Sequence, residues 1–181
     1  MSKTTIPTAG LADAAVTTAK ITDANITTAK IADDAVTAAK AGFSAGKIGQ
    51  VLQDVHDTQA ASTSTSYADV GSSGVTKAIT CSATSSKVLI IGTLNGYLES
   101  DNHLKVRLMR DSTVIEENIN YFHSQGTNVK GIAGAMSFLD SPSSTSELTY
   151  KFQFCSRDSG ETVRICGDHT PSNIILMEIL A

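Results

Sequence analysis

The four histidines are the residues of this chain that could most readily bind a metal or transfer a proton near neutral pH. They are His56, His103, His123 and His169. No two of them have the H-x-x-x-H or H-x-H spacing that would place two imidazoles side by side on one element. We therefore expect no metal site, with the histidines in exposed loops or at strand ends. If three copies of the chain assembled into a trimer, three copies of one histidine could still meet at its axis. The sequence does not indicate which histidine that would be.

Two clusters of carboxylates are the other candidates for acid–base chemistry. Glu99 and Asp101 belong to the segment E-S-D-N, which is typical of a polar turn between strands. Glu116 and Glu117 are adjacent, so in a strand they point to opposite faces. The chain contains no G-x-S-x-G motif, no phosphate-binding loop and no G-x-G-x-x-G motif. The sequence predicts no catalytic residue, no cofactor and no enzymatic activity.

Two polar segments could carry binding residues, because loops on rigid β-scaffolds often do so. They are residues 156–161, which read S-R-D-S-G-E, and residues 168–171. Solvated turns are the favoured interpretation of both.

The three cysteines are Cys81, Cys155 and Cys166. Their number is odd and no pair has C-x-x-C spacing, so neither a disulfide framework nor a zinc site is expected. Buried free thiols in strands are the favoured interpretation, since free cysteine is often buried.

Charge and hydropathy exclude two further classes. The net charge is −4 and no basic run is present, whereas a nucleic-acid-binding protein needs a positive patch for the phosphates. No apolar run approaches the roughly 20 residues of a membrane span, and the N-terminus lacks the apolar core of a signal peptide. We expect no nucleic-acid partner and no membrane insertion. The chain is expected to be made in a cytosol and either to stay soluble there or to leave only as part of a particle.

Residues 6–41 contain an aliphatic residue at every fifth position. These residues are Ile6, Leu11, Val16, Ile21, Ile26, Ile31 and Val36. Residues spaced by five are spread around the circumference of an α-helix, and in a flat strand they alternate between the two faces. Neither element therefore places all of these aliphatic residues on one side. A backbone that bends once per repeat gathers it, as in solenoids and spirals. One such segment buries very little alone, and we therefore predict that identical chains surround it in a shaft.

The composition changes after the repeat. Residues 42–49 contain three glycines and are typical of a neck or hinge. From residue 50 onwards, eight to ten short alternating segments separated by Gly, Ser and Asp turns predict an all-β sandwich of jelly-roll type. Residues 87–98 are the most apolar run, E-L-T-Y-K-F-Q-F-C is the clearest strand, and T-V-R-I-C is expected to be its hairpin partner.

The last strand, I-I-L-M-E-I-L, is apolar on both faces. Ile174 and Leu176 share one face, and Ile175, Met177 and Ile179 share the other. A surface strand of a monomeric sandwich should be polar on one side. We predict that Ile175, Met177 and Ile179 lie at a subunit interface of the head; the alternative is that a loop of the same chain covers them.

Two sets of phrases resemble proteins of bacteriophage particles. A-V-T-T-A-K-I-T-D and I-T-T-A-K-I-A-D-D-A-V resemble the repeats of many phage fibre and virion-surface proteins. S-S-K-V-L-I-I-G-T-L-N-G-Y-L, V-R-L-M-R-D-S-T-V-I and S-N-I-I-L-M-E-I resemble phage head domains with a TNF-like jelly roll. In those domains a strand ending in Arg-Asp-x-Thr precedes a turn, and the final strand has a hydrophobic-Met-Glu-hydrophobic pattern.

The resemblance implies a homotrimer at the virion surface, assembled in the host cytoplasm. The implied domains are an N-terminal repeat shaft that also attaches to other virion proteins (residues 1–41), a Gly-rich neck (42–49) and a jelly-roll head (50–181). Tail fibres commonly carry an attachment domain before the shaft, whereas here the repeat begins almost at residue 1, which favours a short fibre or a capsid decoration protein. The alternative is a tail-fibre receptor-binding protein that recognises a host surface glycan.

Overall fold

The structure is a computed structural model of the chain. It describes residues 17, 21, 26, 27, 31, 32 and 35, and then residues 46–72, 74–98, 102–117, 122–124, 130–166 and 170–180; for 122–124 and 130–132 only the backbone is described. The chain divides into two units, Met1–Phe43 and Ser44–Ala181. The fold given below is that of the second unit.

Every regular element in the described ranges is a β-strand, as the all-β prediction requires. In chain order the strands are β1 (Lys47–His56), β2 (Ala60–Ser62), β3 (Ala68–Asp69), β4 (Thr76–Thr80), β5 (Lys87–Leu98), β6 (Asn102–Arg110), β7 (Thr113–Glu117), β8 (Phe122–Ser124), β9 (Lys130–Asp140), β10 (Glu147–Ser156), β11 (Val163–Ile165) and β12 (Ser172–Leu180).

The strands form two antiparallel sheets. In the first, named sheet A, β12 lies between β1 and β5, and β9 pairs with the other edge of β5. The short strands β11 and β2 extend sheet A beyond the end of β12. In the second, named sheet B, β10 pairs with β3 and β4 on one edge and with β6 on the other, and β6 pairs in turn with β7 and β8.

The two sheets pack face to face because their long strands direct apolar side chains at alternate positions into the space between them. In β10, Leu148, Tyr150, Phe152 and Phe154 are buried in the core, which confirms the face assignment made from the sequence. The central strands of sheet A bury Val88, Ile90, Leu94, Leu98, Ile174 and Leu176 against them.

A polar contact joins the sheets at one end of the sandwich. The Oδ2 atom of Asp140, at the end of β9, accepts hydrogen bonds from Arg110 Nη1 (2.6 Å) and from the hydroxyl of Tyr150 (2.7 Å). Both donors belong to sheet B. Burial, together with the hydrogen bond to Asp140, raises the pKa of Tyr150 well above its usual range.

Two expectations need correction or adjustment. The segment T-V-R-I-C is not the hairpin partner of β10: β11 pairs with β5 and β2 in sheet A, because both edges of β10 are already occupied by β3, β4 and β6. The other concerns the neck, since β1 begins at Lys47 and the amide of Gly46 donates to the carbonyl of Leu180 (2.8 Å). The last residues of the segment assigned to the neck are therefore part of sheet A.

Gly92 shows how closely the sheets approach. A Cβ atom at this position would lie 2.6 Å from Cζ of Phe152 and 3.2 Å from Cγ of Met136. Phe152 is fully buried and belongs to the opposite sheet, so its ring has little room to move away.

We expect Gly92→Ala to lower the free energy of unfolding by about 1–3 kcal/mol, the usual cost of inserting a methyl group into a packed core. Chemical denaturation of the purified protein measures this change. Ala135→Ser, an exposed substitution on the neighbouring strand, should stay within about 0.5 kcal/mol of wild type. Equal stabilities of Gly92→Ala and wild type would show that the sheets do not pack as closely as described.

Candidate assembly surface

The outer face of sheet A carries a continuous set of aliphatic side chains. Across four neighbouring strands, Val51, Met177, Leu89 and Leu139 occupy one row, since the register pairs Val51 with Met177, Met177 with Leu89 and Leu89 with Leu139. The rows on either side add four more residues. The apolar face, as this surface is named here, consists of Ile48, Val51, Leu89, Ile91, Leu139, Ile175, Met177 and Ile179.

The side chains at the rims of the apolar face are open to solvent. Ile48 is 50% exposed, Val51 is 53% exposed and Leu139 is 50% exposed. Ile175, Met177 and Ile179 lie in the middle of the sheet and are half-buried by their neighbours. A covering loop of the same chain would bury the rims as well, so the exposure argues against that alternative. Contiguous exposed apolar surface of this kind marks interaction sites in soluble proteins.

The apolar character ends part-way along sheet A. Beyond the row of Ile175 and Ile91, the register pairs Asn173 with Thr93, and exposed Val55, opposite Asn173, is the large aliphatic residue of that row. Further along, the guanidinium of Arg164 lies 5.8 Å from the centroid of the Tyr97 ring. The apolar face therefore occupies the end of sheet A at which β1 begins and β12 ends.

The outer face of sheet B is polar by contrast. Arg107 lies over the ring of Tyr67, 4.5 Å from its centroid, and its Nε donates to Gln153 Oε1 (2.8 Å). Gln153 Nε2 donates to Asp69 Oδ1 (2.7 Å), and Lys151 Nζ donates to Asp69 Oδ2 (2.9 Å). Burial, aided by nearby acidic groups, raises the pKa of Tyr67 to about 12. Sheet B thus has the solvated face expected of a sandwich, and sheet A does not.

A buried carboxylate lies directly behind the apolar face. Glu178 points to the core side of β12 and is only 2% exposed. Its Oε1 accepts hydrogen bonds from the amide (2.6 Å) and hydroxyl (2.7 Å) of Ser82, and its Oε2 accepts one from Gln50 Nε2 (2.9 Å). Burial by itself would raise the pKa of Glu178, but these hydrogen bonds outweigh that effect and lower the pKa to about 2. Glu178 therefore ties β1 and the segment after β4 to β12.

Period-two alternation could have located Glu178 in the core, because it lies two residues from Leu176, which faces the core. Among the letters of this strand, Glu178 stands out only as a polar exception between apolar residues. Its partners Ser82 and Gln50 are far away in sequence, and no local pattern indicates them.

Only part of the predicted shaft lies within the described residues. The backbone bends at Ile21, Ile26 and Ile31, and Ile26 is 53% exposed. Ile6, Leu11, Val16 and Val36 lie outside the described residues. Assembly through these side chains, like the subunit interface at Ile175, Met177 and Ile179, stays a prediction.

The residues considered for chemistry are dispersed. His56 and His103 lie at strand ends but are buried rather than exposed, the side chain of His123 is not described, and His169, Glu99 and Asp101 lie outside the described residues. Among the described residues no group of three His, Cys, Asp or Glu side chains could hold a metal.

The remaining candidates have structural roles. Cys81, Cys155 and Cys166 are free and buried, as expected, although only Cys155 lies within a strand. Burial raises the pKa of the Cys81 and Cys155 thiols, which makes them poor nucleophiles. Glu116 and Glu117 are both exposed on β7, and Glu117 lies 3.6 Å from Arg107.

The first polar segment is an ordered turn. The hydroxyl of Ser156 accepts a hydrogen bond from Asn102 Nδ2 (2.8 Å) and donates to the carbonyl of Asp158 (2.7 Å). The second segment, 168–171, is described only at Thr170 and Pro171. The described part of the chain has no helix long and apolar enough to cross a membrane.

No family model and no curated protein matches the chain. Among solved structures, it is similar to infectious bursal disease virus, Gx strain, with a TM-score of 0.35 and 15% identity over 73% of this chain and 37% of that one. It is also similar to the VP2 subviral particle of that virus (TM-score 0.32, 16% identity, 73% and 38% covered). A third is dimeric latent PorU from Porphyromonas gingivalis (TM-score 0.34, 11% identity, 71% and 12% covered). The chain spans less than two fifths of the length of each, and at these TM-scores the likeness defines neither a shared fold nor a shared function.

We expect Glu178→Gln to lower the free energy of unfolding by about 1–3 kcal/mol, because the substitution weakens charge-assisted hydrogen bonds to a buried group. The effect should depend on pH. The pKa of Glu178 is about 2 in the folded chain and its ordinary value is 4.5, so its stabilisation is complete above 4.5 and is lost as the pH falls towards 2.

Denaturation curves of both proteins between pH 2 and pH 7 measure this. The difference between wild type and Glu178→Gln should shrink as the pH falls below 4.5. A difference that is constant across this range would contradict the role given to the carboxylate charge.

Proposed function

We propose that the chain is a non-enzymatic structural protein of a bacteriophage virion. It forms a homotrimer that projects from the particle as a short fibre or capsid decoration protein. Residues 1–41 form the shaft and attach to other virion proteins, and the β-sandwich forms a jelly-roll head. The observation that carries this proposal is the apolar face of sheet A.

The strand order supports a jelly-roll head. Eight main strands form two four-stranded layers, with the orders β1-β12-β5-β9 and β4-β10-β6-β7. In both layers, strands distant in sequence are neighbours, as in the paired Greek keys of a jelly roll. The turn Arg110-Asp111-Ser112-Thr113 connects β6 to β7, with Asp111 at a φ of 51°, and matches the Arg-Asp-x-Thr pattern of the resemblance.

The apolar face supports assembly with copies of the same chain. Fully burying one Val, Leu, Ile or Met side chain stabilises a complex by about 1.5–3 kcal/mol, and the rims of this face are half exposed in the single chain. The pentad stripe independently favours identical neighbours, because one such segment has no partner for its aliphatic residues. The trimeric state itself rests on the resemblance to phage proteins, and a threefold ring is a common closed symmetry.

A virion location is supported by the repeat phrases and by the exclusion of other classes. The net charge of −4 disfavours a nucleic-acid partner. A second candidate function is recognition of a host surface glycan by a tail fibre. It is favoured by a pocket on sheet B whose lining includes Asp69 and Lys151.

We expect the full-length protein to have three times the mass of one chain in light scattering at micromolar concentration. Val51→Asp should weaken the trimer by tenfold or more in dissociation constant, because each ~1.4 kcal/mol lost at an interface is a factor of ten. Val114→Asp is the matched control: it makes the same change at an exposed strand valine of sheet B and should leave the trimer intact.

A triple variant, Ile21→Ser, Ile26→Ser and Ile31→Ser, tests the shaft in the same assay and should also weaken the trimer while the head stays folded. If the wild-type protein is a monomer at every concentration measured, the proposal is refuted. Equal effects of Val51→Asp and Val114→Asp would remove the apolar face from the interface.

Location on the particle separates the two candidate functions. Gold-labelled antibody against the head should mark many sites over the capsid of a virion that carries this protein, if it is a decoration protein. Label confined to a few copies at the tail would favour the receptor-binding fibre. Absence of label from purified virions would contradict both.

A further inference from the structure

The described part of sheet B has a polar pocket on its outer side. It lies between the connection from β3 to β4 and the first half of β10, is half open to solvent, and has a volume of about 240 Å³. Besides Gly71 and Gly74, it is lined by Asp69, Ser72, Thr76, Thr149, Lys151 and the core residue Phe152.

Two glycines shape one wall of the pocket. Gly71 and Gly74 have φ values of 65° and 67°, in the left-handed region that other residues adopt only at a cost. Their backbone therefore turns sharply between Asp69 and Thr76. Gly71 and Gly74 thus form one wall of the pocket, and β10 forms the other.

The polar groups in the pocket are arranged without net charge. The ammonium of Lys151 lies 2.9 Å from the carboxylate of Asp69, so the two charges compensate each other. Ser72, Thr76 and Thr149 add hydroxyl groups. The hydroxyl of Thr76 donates to the carbonyl of Tyr150 (3.1 Å), which leaves its oxygen available as an acceptor.

We infer that this pocket binds one pyranose ring of a saccharide. An anion would meet a cation that is already paired, whereas a neutral polyol can exchange hydrogen bonds with a carboxylate, an ammonium and several hydroxyls at once. The volume lies just below the roughly 300–1,000 Å³ of pockets for drug-sized ligands, which suits a single ring.

The surface beside the pocket could hold further rings of the same saccharide. From Asp69, hydrogen bonds lead through Gln153 to Arg107, which lies over the ring of Tyr67. Planar amide and guanidinium groups can each hydrogen-bond two neighbouring hydroxyls. In a trimer joined through sheet A, this strip on the opposite sheet stays accessible.

The test is saturation-transfer NMR of the full-length protein with glucose, galactose, mannose and N-acetylglucosamine as probes at millimolar concentration. We expect at least one sugar to receive saturation from the protein. Thr149→Tyr fills the pocket and Asp69→Asn removes its carboxylate charge; each should reduce the signal at least fivefold. Thr113→Tyr, an exposed threonine of β7 in the same sheet, is the matched control and should retain the signal.

No signal from any of the four sugars with wild type would overturn the inference, as would a signal that persists in Thr149→Tyr. Light scattering on the same samples separates this result from the proposed function. The pocket lies within one chain, so a monomeric protein that binds sugar would refute the trimer and leave the pocket standing. A trimer that binds none of the sugars would do the reverse.

Discussion

The apolar side chains on both faces of β5 and β12 are the constraint on which the rest of the structure depends. A strand sends successive side chains to opposite faces, so a run such as Leu89, Ile90 and Ile91 cannot bury all of its members in one core. Ile90 is fully buried between the sheets, and its neighbours have to lie on the outer surface of sheet A. The core between the sheets is therefore filled, while apolar side chains remain on the outer surface of sheet A.

Buried polar contacts hold this end of the sandwich together. Glu178 ties β1 and the segment after β4 to the central strand of sheet A, and Asp140 ties sheet A to Arg110 and Tyr150 of sheet B. Both carboxylates lie at the end of the head where the apolar face is found. Breaking hydrogen bonds to a carboxylate that is buried, as Glu178 is, or nearly so, as Asp140 is, carries a large cost, so these contacts hold the rows of the apolar face in register.

Each of the two outer faces carries one of the functions proposed for the head. Sheet A offers exposed aliphatic residues that copies of the chain can bury, and sheet B offers ion pairs, hydroxyls and the ring of Tyr67 to solvent. The repeat of residues 6–41 separately predicts neighbouring chains, because a five-residue period gathers its aliphatic residues on neither one side of a helix nor one face of a strand. In the proposed assembly, sheet B faces outward and stays accessible to the proposed saccharide.

The sequence alone determined the features that follow from short-range alternation. It located β5 at residues 87–98, placed Leu148, Tyr150 and Phe152 on one face of β10, separated Ile174 and Leu176 from Ile175 and Met177, and predicted buried free cysteines. Period two is a local property of the backbone and can be counted in a string of letters. Only the tertiary structure decided which strands are neighbours: β11 joins sheet A, Val51 and Leu139 extend the row of Met177, and Ser82 reaches Glu178. These contacts connect residues that are 50 to 126 positions apart, and their formation depends on which sheet edges remain free once the core has packed.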